Sequence, residues 1–156
     1  MLIRAATSAD LPDLMALAME SKFAAHWSES QYRQIFSQST PRRIILVASD
    51  QGAGKDRDKQ RDLLAFVVAR VVQQDWEIEN LVVRADSQRQ GIATRLLNHI
   101  RKSAKSENAM NLFLEVRRSS AGARALYKKL GFKNCGYRRR YYTDPADDAV
   151  LYKLVL

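Results

Sequence analysis

The chain has 156 residues, of which 46% are hydrophobic and 28% are charged, so it can bury a core and is not a disordered segment. Its longest apolar run, at 63–69, is too short to span a membrane, and its N-terminus lacks the layout of a signal peptide. The net charge of +9 is concentrated in residues 84–140, where 15 Lys and Arg accompany three acids. That balance favours an anionic ligand or partner, such as a phosphorylated cofactor, RNA or a ribonucleoprotein surface.

A single cysteine, Cys135, leaves no internal disulfide and predicts a reducing, cytoplasmic setting. We expect its side chain to be a small buried hydrophobe rather than a nucleophile. The two histidines, His26 and His99, stand apart from any cysteine or carboxylate cluster with metal-ligand spacing, so no metal site is predicted.

The N-terminal half alternates between strand and helix patterns. Residues 2–6 form a short predicted strand, and Ser8 or Asp10 can cap a helix that starts near Pro12. Residues 28–31 fit a capping box that opens a second short helix. Two runs rich in β-branched residues predict strands at 42–49 and 63–72. The polar segment between them, 50–62, is interpreted as a mobile hairpin loop.

The C-terminal half continues with a predicted strand at 76–83 and a helix at 92–105. After a strand at 111–116, Ser119 or Ser120 can cap a further helix that ends at Gly131. The last two predicted strands cover 136–142 and 149–156. This order, β-α-α-β-β-β-α-β-α-β-β, predicts one α/β domain over residues 1–156, built on a mixed, twisted sheet.

A short turn joins the predicted strand at 76–83 to the following helix. Residues 88–93 read Gln-Arg-Gln-Gly-Ile-Ala. Glycine lets the chain turn tightly and bring its N–H groups close to an anion, and the start of a helix adds unpaired amides and a positive dipole end. The pattern favours a diphosphate-binding turn, although one glycine in six residues is also typical of an ordinary strand-to-helix connection.

With this turn after the fourth strand, the element order resembles the GNAT superfamily of acyl-CoA N-acyltransferases. Gln88, Gly91 and Ala93 match the superfamily motif Q/R-x-x-G-x-G/A. A closer resemblance, over nearly the whole chain, is to bacterial ribosomal-protein alanine N-acetyltransferases. The segments that carry it, in matching order and spacing, are 27–29, 88–93, 114–120, 125–132 and 138–142.

This resemblance implies a GNAT-like fold with helices on both faces of the sheet. It also implies transfer of an acetyl group from acetyl-CoA to the α-amino group of a protein N-terminus, with a ribosomal protein as acceptor. It implies neither a metal nor a membrane partner, and nucleic acid contact only incidentally through the basic surface. Ser120 stands where the family usually has Asn at a cofactor contact, so we expect that contact to be weaker or rearranged.

Amine acetylation needs a group that takes the proton lost from the amine. Glu115 is the only acid in residues 108–143, and the resemblance assigns the base to this position. Judged from the residues alone, an ion pair with Arg117 or Arg118 explains Glu115 equally well. Glu77 and Glu79 remain alternative bases, and strand alternation predicts that they point the same way.

The resemblance assigns the general acid to Tyr127, whereas helical spacing alone makes it a core residue. A phenol with a pKa near 10 loses about 2 kcal/mol when it protonates a thiolate with a pKa near 8.5, so hydrogen bonding to the thiolate is its main expected role. The resemblance places the pantetheine arm beside the backbone of Leu81, Val82 and Val83, one of whose N–H groups is a natural oxyanion donor. Six residues are expected to hold the diphosphate: Arg89, Gln90, Gly91, Ile92, Ala93 and Thr94.

The resemblance further assigns Trp27, Tyr141 and Tyr142 to the peptide-binding groove. A strand with one aromatic packed inward and its neighbour outward is the alternative for the tyrosine pair. Two other functions stay open: the same chemistry on a polyamine, antibiotic or lysine, and a non-catalytic RNA- or ribosome-binding module. Few acids are expected around the groove, which disfavours a polycationic substrate, and retention of Glu115 and Tyr127 disfavours the binding module.

Overall fold

The computed structural model describes residues 1–37, 40–50 and 63–156. Within these ranges there are four helices: α1 (Leu11–Glu20), α2 (Glu29–Gln34), α3 (Ile92–Ser106) and α4 (Ala121–Lys129). The strands in the same ranges are β1 (Leu2–Ala5), β2 (Arg43–Ser49), β3 (Leu63–Val72), β4 (Asp75–Val83), β5 (Asn111–Arg117), β6 (Lys133–Thr143) and β7 (Ala146–Val155). The predicted element order is confirmed. Beyond Asp50, the hairpin loop predicted at 50–62 lies outside the described residues.

All seven described strands form one sheet in the order β1-β2-β3-β4-β5-β7-β6. Only the central pair, β4 and β5, is parallel, because α3 crosses over between them. One core lies under α1 and α2, and the other lies under α3 and α4. Helices therefore cover both faces of a mixed sheet, as predicted. None of the described helices combines the length and apolar character needed to cross a bilayer.

The capping box predicted at 28–31 opens α2. The Ser28 hydroxyl accepts a hydrogen bond from the Gln31 amide at 3.2 Å, and the Gln31 side chain accepts one from the Ser28 amide at 2.8 Å. Two otherwise unpaired backbone donors are thereby satisfied. This fixes the point at which the loop from α1 enters α2, and Trp27 lies at the end of that loop.

A β-bulge in β4 changes which face its side chains occupy. Val68 pairs with Asn80 but the next residue, Ala69, pairs with Ile78, so Glu79 is the extra residue. Before the bulge, Ile78 packs in the α3/α4 core; after it, Val82 packs in the α1/α2 core. The buried side chain of Asn80 accepts a hydrogen bond from the Ala25 amide at 3.3 Å. The bulge thus ties the α1–α2 loop to the middle of β4.

Cys135 is exposed, so the prediction of a buried cysteine is wrong. It lies on β6, the edge strand of the sheet. The register with β7 shifts between Asn134 and Gly136, and Cys135 has no partner in that ladder. An edge strand with a register shift offers no packed layer in which the thiol could be buried.

Candidate active site

A cleft opens in the sheet where its two parallel strands separate. The pairing of β4 with β5 ends at Ile78 and Leu114. Leu81, Val82 and Val83 continue to pair with β3, so their other backbone edge faces the gap. The three residues predicted to contact the pantetheine arm therefore present a strand edge that no described strand covers, which an extended ligand can join by main-chain hydrogen bonds. The Val83 carbonyl already accepts a hydrogen bond from the Gln88 side chain at 3.3 Å.

The turn at the end of this edge leads into α3 through Gly91. Gly91 has φ +79° and Arg89 has φ +64°, both in the left-handed region. No atom lies within 4 Å of the point where a Cβ on Gly91 would stand, so the approach to the turn is open. The first amide of α3 to bond back is that of Arg95, to the Gly91 carbonyl at 3.1 Å. The preceding amides of the helix are free to bind an anion, which fits a diphosphate.

Ser120 lies at the start of α4, the second helix on this face of the sheet. It is the N-cap residue, but its hydroxyl makes no capping hydrogen bond. The neighbouring Ser119 is fixed instead, since its hydroxyl donates to Asp147 at 2.6 Å and its amide at 3.1 Å. The hydroxyl of Ser120 is left available to a ligand at an anchored helix start.

Glu115 is the first residue of β5 beyond the segment that pairs with β4. Its neighbours Leu114 and Val116 are buried in the α3/α4 core, so strand alternation directs Glu115 to the α1/α2 face. Its carboxylate forms an ion pair with Arg138 at 2.9 Å, and the Arg138 side chain is more than half exposed. An exposed partner is held weakly, because water screens the attraction.

Neither of the partners proposed for Glu115 from the sequence pairs with it. The Arg117 guanidinium lies 4.2 Å from the centre of the Tyr142 ring and donates to the Pro145 carbonyl at 2.7 Å. Arg118 reaches Asp148 at 3.6 Å. The ion pair predicted as an alternative does exist, but Arg138 makes it. Residues 115 and 138 come together through β7, which lies between their strands.

The two alternative carboxylates are more firmly engaged. Arg43 donates twice to Glu79, at 2.7 Å and 3.1 Å. Arg70 forms an ion pair with Glu77 and lies 3.7 Å from Glu79, so both acids face the same arginine, as strand alternation predicts. Glu79 is therefore held by a two-pronged guanidinium contact. Glu77 and Glu115 each pair with one arginine, and the Arg70 side chain (35%) is less exposed than that of Arg138 (56%).

A second bulge brings both tyrosines of β6 to Glu115. Arg138 pairs with Ala149 and Tyr142 pairs with Asp147, so three residues of β6 oppose one of β7. Arg140, in this bulge, has φ +50° and donates its amide to Asp148 at 2.9 Å. The Tyr141 and Tyr142 rings consequently meet edge to face at 5.1 Å. Tyr141 is about half exposed and Tyr142 is partly buried, so the two tyrosines differ in exposure as the alternation predicts. Their rings nevertheless contact each other, which a regular strand would not allow.

The charge of Glu115 affects the pKa values of both phenols. The charge of Glu115 is the main cause that raises the pKa of Tyr141. Burial raises the pKa of Tyr142 to about 12, and the charge of Glu115 adds to that effect. Both phenols stay protonated at neutral pH and can donate hydrogen bonds.

Tyr127 has the core position that helical spacing predicts, and its role as general acid stays a prediction. Its ring is buried, 5.8 Å from the ring of Phe132 and 6.1 Å from that of Tyr152, so it is part of the α3/α4 core. Burial raises its pKa well above the ordinary value, and proximity to Tyr142 raises it further.

A cavity of about 270 Å³ lies beside Glu115 and includes Arg70, Phe113 and Arg138 in its lining. Three acids, Asp75, Glu77 and Glu115, also line it. These acids come from β4 and β5, which are far apart in sequence and meet through the parallel pairing of the two strands. The residues predicted to form the peptide-binding groove, Trp27, Tyr141 and Tyr142, do not line this cavity.

Trp27 lies on the same side of the sheet, where it packs against the α1/α2 core. Its ring meets that of Tyr32 edge to face at 5.3 Å. The buried Asn80, which fixes the loop before Trp27, was missed by sequence reasoning, although a polar residue at an inward position of an apolar strand was its signal. His26 and His99 are exposed, and no group of three metal-binding side chains occurs among the described residues.

Residues 11–132 match the acetyltransferase (GNAT) family. The [ribosomal protein bS18]-alanine N-acetyltransferase of Escherichia coli K12 is 39% identical over 94 residues, which cover 59% of this chain and 64% of that enzyme. A putative enzyme of the same name from Bacillus subtilis is 26% identical over 132 residues, covering 84% of this chain and 80% of its own. The crystal structure of the ribosomal-protein-S18-alanine N-acetyltransferase from Escherichia coli superposes with a TM-score of 0.82 at 30% identity, covering 99% of this chain and 92% of that one.

The sequence match to the E. coli enzyme thus spans less than two thirds of its length, whereas the family match spans most of this chain. The family match agrees with the predicted fold, with the predicted class of acetyltransferases and with acetyl-CoA, the acetyl donor of that class. The strand edge at 81–83, the turn before α3 and the carboxylate of Glu115 are the groups predicted to form the site. The chain belongs to the acetyltransferase (GNAT) family.

Proposed function

We propose that this protein transfers the acetyl group of acetyl-CoA to the α-amino group of a protein N-terminus in the cytoplasm. The proposed acceptor is the N-terminal alanine of a ribosomal protein. One observation carries the proposal: Glu115 lies where β4 and β5 separate, with Tyr141 and Tyr142 beside it and Tyr127 behind them. The names of the E. coli and B. subtilis relatives support the choice of acceptor.

The residues present fit acetyl-CoA. The backbone edge of Leu81, Val82 and Val83 suits the pantetheine arm, and one of its N–H groups suits the thioester oxygen. The amides from Arg89 to Thr94 suit the diphosphate, because Gly91 holds the turn open and the dipole of α3 favours negative charge. The free hydroxyl of Ser120 adds one further contact at the start of α4.

The base in this mechanism is Glu115. A peptide α-amino group has a pKa of about 8 and is mostly protonated at neutral pH. Glu115 removes a proton from the amine, directly or through one water molecule. The nitrogen then attacks the thioester carbon, so a C–N bond forms as the C–S bond breaks. Arg138 keeps the carboxylate on the open face without enclosing it.

Tyr127 acts on the departing sulfur from the other side of the sheet. Its raised pKa means that the phenol is a hydrogen-bond donor throughout the neutral range. It donates a hydrogen bond to the sulfur as the C–S bond breaks, and the thiolate, with a pKa of about 8.5, then takes a proton from water to give the free thiol. The hydrogen-bond donor and the base are thus separate groups, and neither has to change role within one turnover.

Replacing Ser120 by Asn is expected to tighten the binding of acetyl-CoA by about three- to tenfold, since one added hydrogen bond contributes about 1 kcal/mol. The longer amide side chain restores the group that the family usually has at this position. Calorimetric titration with acetyl-CoA measures the change, and Ser119→Asn is the matched control. A Ser120→Asn variant with unchanged or weaker binding would show that this position does not contact the cofactor.

The proposed activity is tested with short peptides that differ only in their first residue. Purified protein and acetyl-CoA are incubated with each peptide, and mass spectrometry locates the acetyl group. Acetylation is expected at the α-amino group of the peptide that begins with alanine. The control peptide has a blocked N-terminus and one internal lysine, and it should stay unmodified. Acetylation of that lysine, or of small amines alone, would instead favour the alternative substrates, for which the acids lining the cavity are a fitting surface.

A further inference from the structure

The positive charge of this protein resides on one layer of the molecule. Residues 84–110 and 118–133, which contain α3, α4 and their adjoining loops, hold eleven Lys and Arg against two acids, a balance of +9. This equals the net charge of the whole chain, so the remaining residues are neutral as a group. Both helices pack against the same core and therefore lie on the same face of the sheet.

The two acids of this layer are already engaged. Asp86 pairs with Arg84 at 2.7 Å, and Glu107 pairs with Arg42. On the other face, by contrast, Arg4, Arg43 and Arg70 each have a carboxylate partner. Seven exposed cations of the α3/α4 layer form no ion pair with any described residue: Arg89, in the diphosphate-binding turn, and Arg95, Lys102, Lys105, Lys128, Lys129 and Lys133.

We propose that this outer surface of α3 and α4, the basic layer, binds the phosphate backbone of base-paired RNA. Arg95, Lys102 and Lys105 follow one side of α3 over ten residues, a length of about 15 Å at 1.5 Å per residue. Together with the lysines of α4 they form a broad field of unpaired charge. Such a field neutralises several phosphates at once and releases their counterions.

The composition of the basic layer selects this partner over others. Among the described residues, Met110 is the one large exposed hydrophobic within 84–110 and 118–133, and it lies beyond the end of α3 at the border of the layer. The described part of this surface offers no exposed aromatic platform for unstacked bases, and a single methionine at its border is a small apolar area for insertion into a membrane. It matches a regular phosphate array, which a duplex presents. The choice of RNA rests on the proposed function, because a ribosomal acceptor is surrounded by structured RNA.

The lysines of the basic layer lie apart from Glu115, although the diphosphate-binding turn and the inward-facing Tyr127 belong to the same two segments of chain. Glu115 faces the α1/α2 side of the sheet, and the basic layer is on the opposite side. Lys102 is ten residues beyond Ile92, so it lies about 15 Å along α3 from the diphosphate-binding turn. RNA bound at the far end of α3 leaves both the cofactor turn and the acceptor groove accessible.

The test measures the binding of a fluorescent RNA duplex of about 20 base pairs by anisotropy over a series of salt concentrations. The wild-type protein is expected to bind with a Kd of about 1–100 µM near physiological salt. The variant K102E/K105E should bind at least about tenfold more weakly, with a log–log salt slope reduced by about 2, because two phosphate contacts are lost. Its affinity for coenzyme A should be unchanged, which also verifies that it is folded.

The matched control is K22E/R33E, which makes the same change in net charge on exposed residues of the α1/α2 side. It should retain RNA binding within about threefold. Equal losses in both variants, no binding by the wild type, or tighter binding of polyglutamate or of anionic vesicles than of the duplex would each overturn the proposal. Peptide acetylation without RNA is measured separately, so that failure of the proposed activity and failure of this surface give different results.

Discussion

Replacing Glu115 by Gln is expected to lower kcat by about 100- to 1,000-fold, the usual contribution of a positioned general base. Glutamine has the same size and can still accept hydrogen bonds from Arg138 and Tyr141, but it cannot take up the proton of the amine. The loss should be largest between about pH 6 and 7, where the α-amino group is most fully protonated. Steady-state kinetics over this range measure the effect.

Two controls separate this role from general damage to the site. Calorimetry should show unchanged affinity of the Glu115→Gln variant for acetyl-CoA, because the carboxylate lies on the opposite side of the sheet from the cofactor turn. Glu77→Gln removes a carboxylate from the same cavity but one that Arg70 already holds, and it should reduce kcat by less than about tenfold. A full rate in Glu115→Gln together with a large loss in Glu77→Gln would assign the base to β4.

Replacing Tyr127 by Phe is expected to lower kcat by about 100-fold, since the sulfur then departs without a hydrogen-bond donor. Burial raises the pKa of this phenol, so the protonated form, which donates, persists as the pH rises past the ordinary tyrosine value of about 10. Wild-type kcat should therefore increase as the amine deprotonates near about pH 8 and should not decline before about pH 10. The variant should show the same shape at a lower level.

Tyr152→Phe is the matched control for Tyr127→Phe. It removes a hydroxyl from the neighbouring buried ring, whose only described hydrogen bond is a long one from Arg124 at 3.4 Å. Both variants keep the aromatic packing, so their thermal unfolding should stay within a few degrees of the wild type. Equal losses of kcat in the two variants would show that Tyr127 acts through the core rather than on the sulfur.

The helices and strands were predictable because their signals are local. The capping box at Ser28, the apolar spacing of α3 and the glycine before it each specify a backbone state within a few residues. The boundaries of β3, predicted at 63–72, agree with the structure. The pairing of Glu115 with Arg138 was not predictable, because it depends on how β5, β7 and β6 align.

The two β-bulges could not be predicted from the sequence either. Every second residue of β4 is buried from Trp76 to Val82, so alternation continues through Glu79 although the buried face changes there. A pattern of burial does not record which core a residue enters. In β6, neighbouring tyrosines gather on one carboxylate only because three residues oppose one. Bulges have no fixed residue signal, and they decide which side chains meet at this site.

The separation of β4 from β5 opens a gap in the sheet, and the rest of the sheet divides one face of the protein from the other. In the proposed mechanism Glu115 acts from one side of this gap and Tyr127 from the other, so we expect the acetyl donor and its acceptor to enter from opposite sides. Loops on the proposed acceptor side, such as the one anchored by Asn80, can then differ in sequence without changing the turn that is proposed to bind the diphosphate. Proteins with this fold can in this way accept different amines while they use the same acetyl donor.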